Sequence, residues 1–422
     1  MHHLTAALDL LRREVDSPVR DQRELVLQTA LGQVLMMIKG WSAPETERAY
    51  LRAQELASMC GTAEQHFSTL AGLFGIAFVG GRMSAARERM KPTRDFIRQH
   101  PEPPFILEAD HHEWSLAMSC GELEVAQNHV EHGLALFEAQ LRATRVPLYS
   151  AHHPAVCGHG WGAMLLWLRG FPDQGRRHAD QALALARELG DSASIIWALG
   201  TRAHFHLLIR ETRPALEMAD AAIMMGKETT FFYALLAARI VKGWALVQAA
   251  SANDGVDQIR EAVKVLFESR TRIWLSFFLA TLAEVYGSKE RIEEGLKTVG
   301  EGLELVRQSG ERCWEAELYR VQGELLLRRD PSHPGARAAL ESAVEVARKQ
   351  GAKSLELRAT TSLTRLLDRQ GDRSEARAML AAIYNWFTEG FDTADLRDAK
   401  DLLQELGVTE HGFLRRKMSS ER

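Results

Sequence analysis

Apolar residues recur at three- and four-residue spacings along nearly the whole chain, and short clusters of turn residues interrupt them at regular intervals. The pattern is plainest in residues 315–351. Leu340, Ala343, Val344 and Ala347 stand at i, i+3, i+4 and i+7, which puts them on one face of a helix. A second apolar-periodic segment, 315–327, precedes them and is separated by Asp330-Pro-Ser-His-Pro-Gly335. Gly351 stands where a helix end takes a left-handed residue. Helix, turn, helix and glycine stop thus fill about 37 residues. Two such helices cannot bury both apolar faces alone, so each pair needs a copy on either side.

The rest of the chain supplies those copies. The spacing predicts paired helices at 22–38 with 44–59, 62–79 with 83–99, 106–119 with 125–141 and 155–168 with 174–189. It continues with 192–209 and 214–225, 231–250 and 256–268, 273–286 and 291–308, the pair described above, and 354–369 with 374–388. Ser42 followed by Glu45, with Pro44 in the first turn, reads as a capping box. Stop glycines give the period. Gly190 to Gly226 is 36 residues, Gly310 to Gly351 is 41, and Gly226 to Gly310 is 84, or two units of 42. That lies just above the tetratricopeptide length of about 34. Small residues recur where paired helices approach, at Gly162, Gly243, Ala283, Gly323 and Ala359, and again early in the second helices at Ala126, Gly175, Ala215, Gly295 and Ala376.

The expected fold is therefore all-α: a right-handed α-solenoid of about nine tetratricopeptide-like helical hairpins, filling residues 1–406. A last helix over 394–406, capped by Asp392 or Thr393, closes it as a C-terminal capping helix. The irregular stretch 142–154 marks a subdivision, and 407–422 is expected to be a flexible polar tail. Leu4, Ala7, Leu8 and Leu11 make a short opening helix. It reads either as an N-terminal cap or as the second helix of a hairpin from a longer ancestral array.

Composition adds exclusions. Of 422 residues, 46% are hydrophobic and 26% charged, which excludes disorder for most of the chain. The formal net charge of −4 gives no general footprint for nucleic acid, and the one dense basic strip, Arg415-Arg-Lys417, falls in the tail. Cys60, Cys120, Cys157 and Cys313 are far apart with no CxxC spacing, which fits a reducing compartment. No signal peptide and no membrane span are read, so the expected location is cytoplasmic.

Three C-terminal blocks carry a resemblance: Gly310-Glu-Arg-Cys-Trp-Glu-Ala-Glu-Leu-Tyr-Arg-Val-Gln-Gly-Glu-Leu-Leu-Leu327, Gln350-Gly-Ala-Lys-Ser-Leu-Glu-Leu-Arg-Ala-Thr-Thr-Ser-Leu363, and Tyr384-Asn-Trp-Phe-Thr-Glu-Gly-Phe-Asp-Thr-Ala-Asp-Leu396. Together they resemble the tetratricopeptide-type C-terminal region of large bacterial predicted ATPases of the STAND type, often joined to class III adenylate/guanylate cyclase domains. The likeness extends more weakly through Leu168-Arg-Gly-Phe-Pro-Asp-Gln174 and Lys39-Gly-Trp-Ser-Ala-Pro-Glu45. Such proteins place a nucleotide-binding domain before the repeats. This chain has no G-x-x-x-x-G-K-[ST], and Gly80-Gly-Arg-Met-Ser is not one. The resemblance thus implies a sensor or scaffold arm without its motor, with a protein or peptide partner that includes a separately encoded nucleotide-binding or cyclase polypeptide.

Histidine is the one compositional anomaly. Eight of 16 lie between 100 and 159: His100, His111, His112, His129, His132, His152, His153 and His159. His129 and His132, at i and i+3, share a helix face. No H-E-x-x-H or H-x-E…C-x-x-C pattern is present, and no G-x-S-x-G elbow. The reading is non-enzymatic, with no catalytic, cofactor-binding or metal residues assigned. Trp114, Trp161, Trp167, Trp197 and Trp244 fall on apolar stripes and are read as core.

The first helices of a helical-pair array line its concave face. The candidate groove residues are then His111, His112, His152, His153, His159, Trp161, Arg202, His204, His206, Glu284, Arg320, Glu324 and Arg358. The expected role is a recognition scaffold or sensor arm of a bacterial signalling assembly. Two alternatives stand beside it: a sensor of a small-molecule effector such as an oligosaccharide or metabolite, and a metal-dependent all-α enzyme using the histidine-rich section.

Overall fold

A computed structural model describes residues 1–144, 146, 149, 152–226, 232–249 and 252–407. The tail 408–422, with its Arg415-Arg-Lys417 strip, and parts of the 142–154 stretch lie outside the described residues. Among the described residues the chain is α-helical throughout, with no strand.

A short helix α1 (His2–Leu11) packs on α2 and buries Leu8 and Leu11. Nine helical pairs follow: α2 (Pro18–Lys39) with α3 (Pro44–Cys60), α4 (Ala63–Val79) with α5 (Met83–Gln99), and α6 (Pro103–Ser119) with α7 (Leu123–Leu136). Next come α8 (Pro154–Leu168) with α9 (Pro172–Leu189), α10 (Ser192–Leu208) with α11 (Thr212–Gly226), and α12 (Phe232–Gln248) with α13 (Ala252–Glu268). The last are α14 (Leu275–Ser288) with α15 (Ile292–Ser309), α16 (Glu315–Arg329) with α17 (Pro334–Gln350), and α18 (Lys353–Gln370) with α19 (Arg373–Tyr384). Helix α20 (Ala394–Gly407) covers α18 and α19 through Leu396, Ala399, Leu402 and Leu406. This is the α-solenoid of tetratricopeptide-like hairpins that the periodicity predicts, closed by a capping helix.

Small residues set the spacing within pairs. A Cβ on Gly175 would lie 2.6 Å from the Ala163 carbonyl, and one on Gly323 would lie 2.6 Å from Leu340 Cγ. Neither fits without a backbone shift or repacking. Gly190, Gly310 and Gly351 end α9, α15 and α17 in the left-handed conformation that glycine adopts without Cβ strain.

Local details depart from the sequence reading. Ser42 does not cap α3. Its hydroxyl donates to the Ile76 carbonyl of α4, while Glu45 pairs with Lys39 at 2.7 Å. The capping box instead forms at Thr62 and Gln65, at the start of α4. Thr393 precedes α20, but its hydroxyl donates to the Gly390 carbonyl. Helix α7 runs into a π-helical turn, Phe137–Leu141, and α19 stops at Tyr384 rather than at 388.

The two layers differ in burial. The second helices α9, α15 and α17 bury one stripe each. The first helices α8, α10, α14 and α18 bury residues round most of their circumference. Their second cover comes from the next superhelical turn. The last carbonyls of α4 and α6 have no partner inside their own helices. The Val79 carbonyl accepts from the Arg272 and Ile273 N–H groups at 2.8 and 3.2 Å, and the Ser119 carbonyl accepts from Arg312 and Cys313 at 2.8 and 3.1 Å.

Ser354 Oγ donates to the Trp167 carbonyl at 2.5 Å, and the Arg358 guanidinium donates to the Leu208 carbonyl. In each of these bonds the end of one first helix meets the start of the first helix five pairs further on, or in the last case its second turn four pairs on. A reciprocal clamp adds to them. Glu389 accepts from the Asp173 and Gln174 N–H groups at 2.9 and 3.0 Å, and Asp173 accepts from Gly390 N–H at 3.0 Å. The superhelix is laced to itself along its inner layer.

Candidate functional site on the inner wall

The first helices bring three kinds of side chain to the inner layer. The first is the histidine section. Glu108, His111 and His112 stand on α6 and are buried. One Glu108 oxygen, Oε1, lies 3.2 Å from His111 Nδ1 and 3.4 Å from His112 Nε2. Burial opposes the Glu108 charge, but the two imidazoles overcome it and hold the carboxyl far below its usual range. The other oxygen, Oε2, is buried without a hydrogen-bond partner, as is His112 Nδ1.

His152 and His153 lead into α8. His152 stacks on Trp197, ring centroids 4.1 Å apart and 6° between planes, and meets His111 edge-on at 5.3 Å. Burial pushes His153 down to about 4 and His152 well below the ordinary histidine value. The i, i+3 pair His129 and His132 shares Asp110, at 2.7 and 2.6 Å.

The second kind is aromatic. Trp161 and Met164 of α8, Trp197, Thr201 and His204 of α10, Tyr233 and Ala237 of α12, and Trp274 at the start of α14 line a small cavity of about 20 Å³. That is room for about one water molecule. Trp161 packs on Trp274 at 5.0 Å. His204 Nδ1 donates to the Gly200 carbonyl at 2.8 Å, while Nε2 is buried with no hydrogen-bond partner. Burial lowers His204 to about 4, so its ring is neutral near pH 7.

The third kind is an ionic ladder on α14, α16, α18 and α20. Arg320, 7% exposed, reaches Glu284 and Glu317 at 2.7 Å and Glu324 at 2.8 Å. Ser362 donates to Glu324 at 2.6 Å. Arg358 pairs with Asp395 at 2.8 Å, lies 3.6 Å from Glu317 and covers the Trp167 ring at 4.8 Å. Burial works against the Glu317 charge, yet Arg320 and Arg358 keep its carboxyl below the usual value.

Glu311, fully buried, accepts from Trp274 N–H at 2.7 Å and from the Ser276 hydroxyl. Burial outweighs those bonds and raises it to about 7.

The thirteen candidate residues therefore do not line one open groove. His111, His112, His152, His153, Trp161, His204 and Arg320 are packed inside the inner layer. Glu284, Glu324 and Arg358 are taken up in the ladder. Arg202 turns to Asp180 of α9 at 2.8 Å, His159 to His178 of α9, and His206 to Glu211 at 2.7 Å, so these three serve local helix contacts.

Sequence reasoning passed over Glu108, Cys157, Trp274, Glu311, Glu317 and Asp395. A signal for Trp274 exists. Arg272-Ile-Trp274 and Arg312-Cys-Trp314 repeat an R-x-W motif forty residues apart, and both motifs lace successive turns.

No protein-family model matches the chain. An uncharacterized protein of Rhizobium meliloti (strain 1021) is 26% identical over 367 residues, covering 86% of this chain and 35% of that protein. The chain thus spans about a third of that relative's length. Two solved structures share the fold. A Rap protein complexed with Competence and Sporulation Factor matches with a TM-score of 0.58 at 10% identity, over 91% of this chain and 99% of that one. The apo form of the quorum sensor NprR from B. thuringiensis matches with a TM-score of 0.50 at 13% identity, over 86% and 97%. At these identities the likeness shows the helical-repeat fold.

Proposed function

We propose that this chain is the recognition arm of a bacterial signalling or regulatory assembly, and that it takes up a protein segment on the wall formed by its first helices. The observation that carries the reading is the unfinished polar chemistry of that wall. His112 Nδ1 and His204 Nε2 are buried without hydrogen-bond partners, and His204 lines the tryptophan-walled cavity. An unsatisfied buried polar atom costs about 1–3 kcal/mol, and a segment bringing donors and acceptors recovers it. The cavity of about 20 Å³ is too small for a segment in the laced state. Uptake therefore accompanies a parting of the turns, with affinity reduced by the cost of breaking the lacing.

The role of the arm rests on further support. The C-terminal blocks resemble the repeat regions of STAND-type ATPases, and a relative carries a matching stretch within a chain nearly three times as long. The Rap structure holds a bound factor on the same fold. The partner proposed is a separately encoded nucleotide-binding or cyclase polypeptide.

The test is site-specific photo-crosslinking in the native bacterium, with benzoylphenylalanine at Tyr233 or Trp197 on the inner wall and at Arg213 or Lys297 on the outer surface. The expected result is one polypeptide joined from the inner positions and absent from the outer ones. The same polypeptide joined from Arg213 or Lys297 alone overturns the reading. The small-molecule alternative predicts instead a metabolite that raises the melting temperature of the purified chain by mass action.

A further inference from the structure

The histidine section holds an arrangement that the recognition reading does not use. Ring nitrogens of His111 and His152 and the sulfur of Cys157 all lie within 4.8 Å of one another, and all three residues are buried. They come from separate places in the chain: His111 from the middle of α6, His152 from the entry to α8, and Cys157 from its first turn. Each is held in place by other groups. Glu108 contacts His111 Nδ1 at 3.2 Å, and the same ring is also hydrogen-bonded to Cys157. The indole of Trp197 stacks flat on His152. Cys157 is 1% exposed and free of any disulfide.

We infer that His111, His152 and Cys157 form a transition-metal site, with Zn²⁺ the cation that fits and a fourth position left open. Two imidazoles and a thiolate are the donors that zinc prefers over calcium or magnesium, which take oxygen ligands. Tetrahedral zinc, with Zn–N about 2.0 Å and Zn–S about 2.3 Å, sets its donors roughly 3.3–3.6 Å apart. The present spread closes to that range with side-chain adjustments of about 1 Å, within reach of small torsional changes.

Glu108 completes the carboxylate–histidine–metal relay that fixes ring orientation at such sites. Its Oε2 is buried with no hydrogen-bond partner. The bland alternative is a polar knot between α6 and α8 that needs no cation. It accounts for the His111–Glu108 contact but leaves Oε2 orphaned in the interior.

Binding places a clip between α6 and the entry to α8, where the regular pairing of helices is interrupted. Metal binding to the folded state alone raises stability by mass action.

The test uses the full chain, stripped with chelator and dialysed against Zn²⁺, with Co²⁺ as a spectroscopic substitute. The expected result is one zinc per chain, a thiolate-to-cobalt charge-transfer band in the near ultraviolet, and protection of Cys157 from alkylation by zinc. Cys157→Ser and His152→Ala bind zinc at least about tenfold more weakly, whereas Cys313→Ser, which removes another buried thiol, binds as the parent does. Substoichiometric zinc, or unchanged affinity in Cys157→Ser, overturns the proposal. Where a variant fails to fold by circular dichroism, the parent's cobalt band and the mapped alkylation of its cysteines decide alone. These readouts do not involve a partner polypeptide, so their failure leaves the recognition reading standing, and the converse holds.

Discussion

The inner wall has two halves, both built from first helices, that differ in how far their polar groups satisfy one another. From α6 to α12 it carries histidines and indoles: burial keeps His204 neutral, Cys157 and Glu108 raise His111 against its burial, and polar atoms are left unmatched at Glu108, His112 and His204. From α14 to α20 it carries guanidinium and carboxylate groups that satisfy one another, with Arg320 engaging three carboxylates and Arg358 bridging two of the helices to the preceding turn. Buried ion pairs are weak evidence for net stability but costly to break from one side. Unmatched polar atoms are the reverse: no partner is lost when they are removed, and a ligand gains from them. The first half is thus where an incoming group is expected, and the second is where the superhelix is held.

The largest effect is expected in the ladder. Arg320→Ala strands Glu317 in the interior and costs about 3–5 kcal/mol in urea denaturation. Arg320→Met, which keeps the packing, is costly too, and restoring balance with Arg320→Met plus Glu317→Leu recovers most of the loss. If the single and double variants are equally destabilised, the ladder holds nothing and the contrast between the halves fails.

The next effects concern pH, and the two halves move in opposite directions. His204 is shifted from 6.5 down to about 4, so the unfolded chain binds the extra proton and stability falls as pH drops from 6.5 toward 4. His204→Phe removes up to about 3 kcal/mol of that acid loss. Glu311 is shifted up from 4.5 to about 7, so the folded state binds the proton and stability falls as pH rises from 4.5 to about 7. Glu311→Gln removes up to about 3 kcal/mol of that alkaline loss. Denaturation midpoints between pH 4 and pH 8 check both. Parallel pH profiles for both variants and the parent would contradict the assignment.

The smallest effect is at the lacing. Ser354→Ala removes one bond from the Trp167 carbonyl and costs about 1 kcal/mol. Faster amide exchange in the last turn of α8 is the matching local signal, with the turn of α9 at Gly190 unchanged.

Most of the fold was legible because it is local. Periodicity, stop glycines and small residues such as Gly175 and Gly323 depend on neighbours one helix away, and they predicted all nine pairs. What was not legible is long-range. Ser42 reads as a cap until Ile76 is seen beside it, and Arg320 and Glu324 of α16 read as groove residues until Glu284, Glu317 and Ser362 are seen to engage them. The histidine surplus was visible as composition. That His111 meets His152 and Cys157 follows from how α8 re-enters beside α6 after the irregular stretch, which no spacing rule supplies.

The hydrogen bonds that Arg272 N–H donates to the Val79 carbonyl and Arg312 N–H to the Ser119 carbonyl join residues almost two hundred positions apart. An open ribbon of repeats folds from any seed and tolerates shortening at either end, since each unit answers only to its neighbours. A coil stitched to its own next turn does not. Its contact order rises, its assembly slows, and any fragment of four pairs or fewer has no second coil to fasten to.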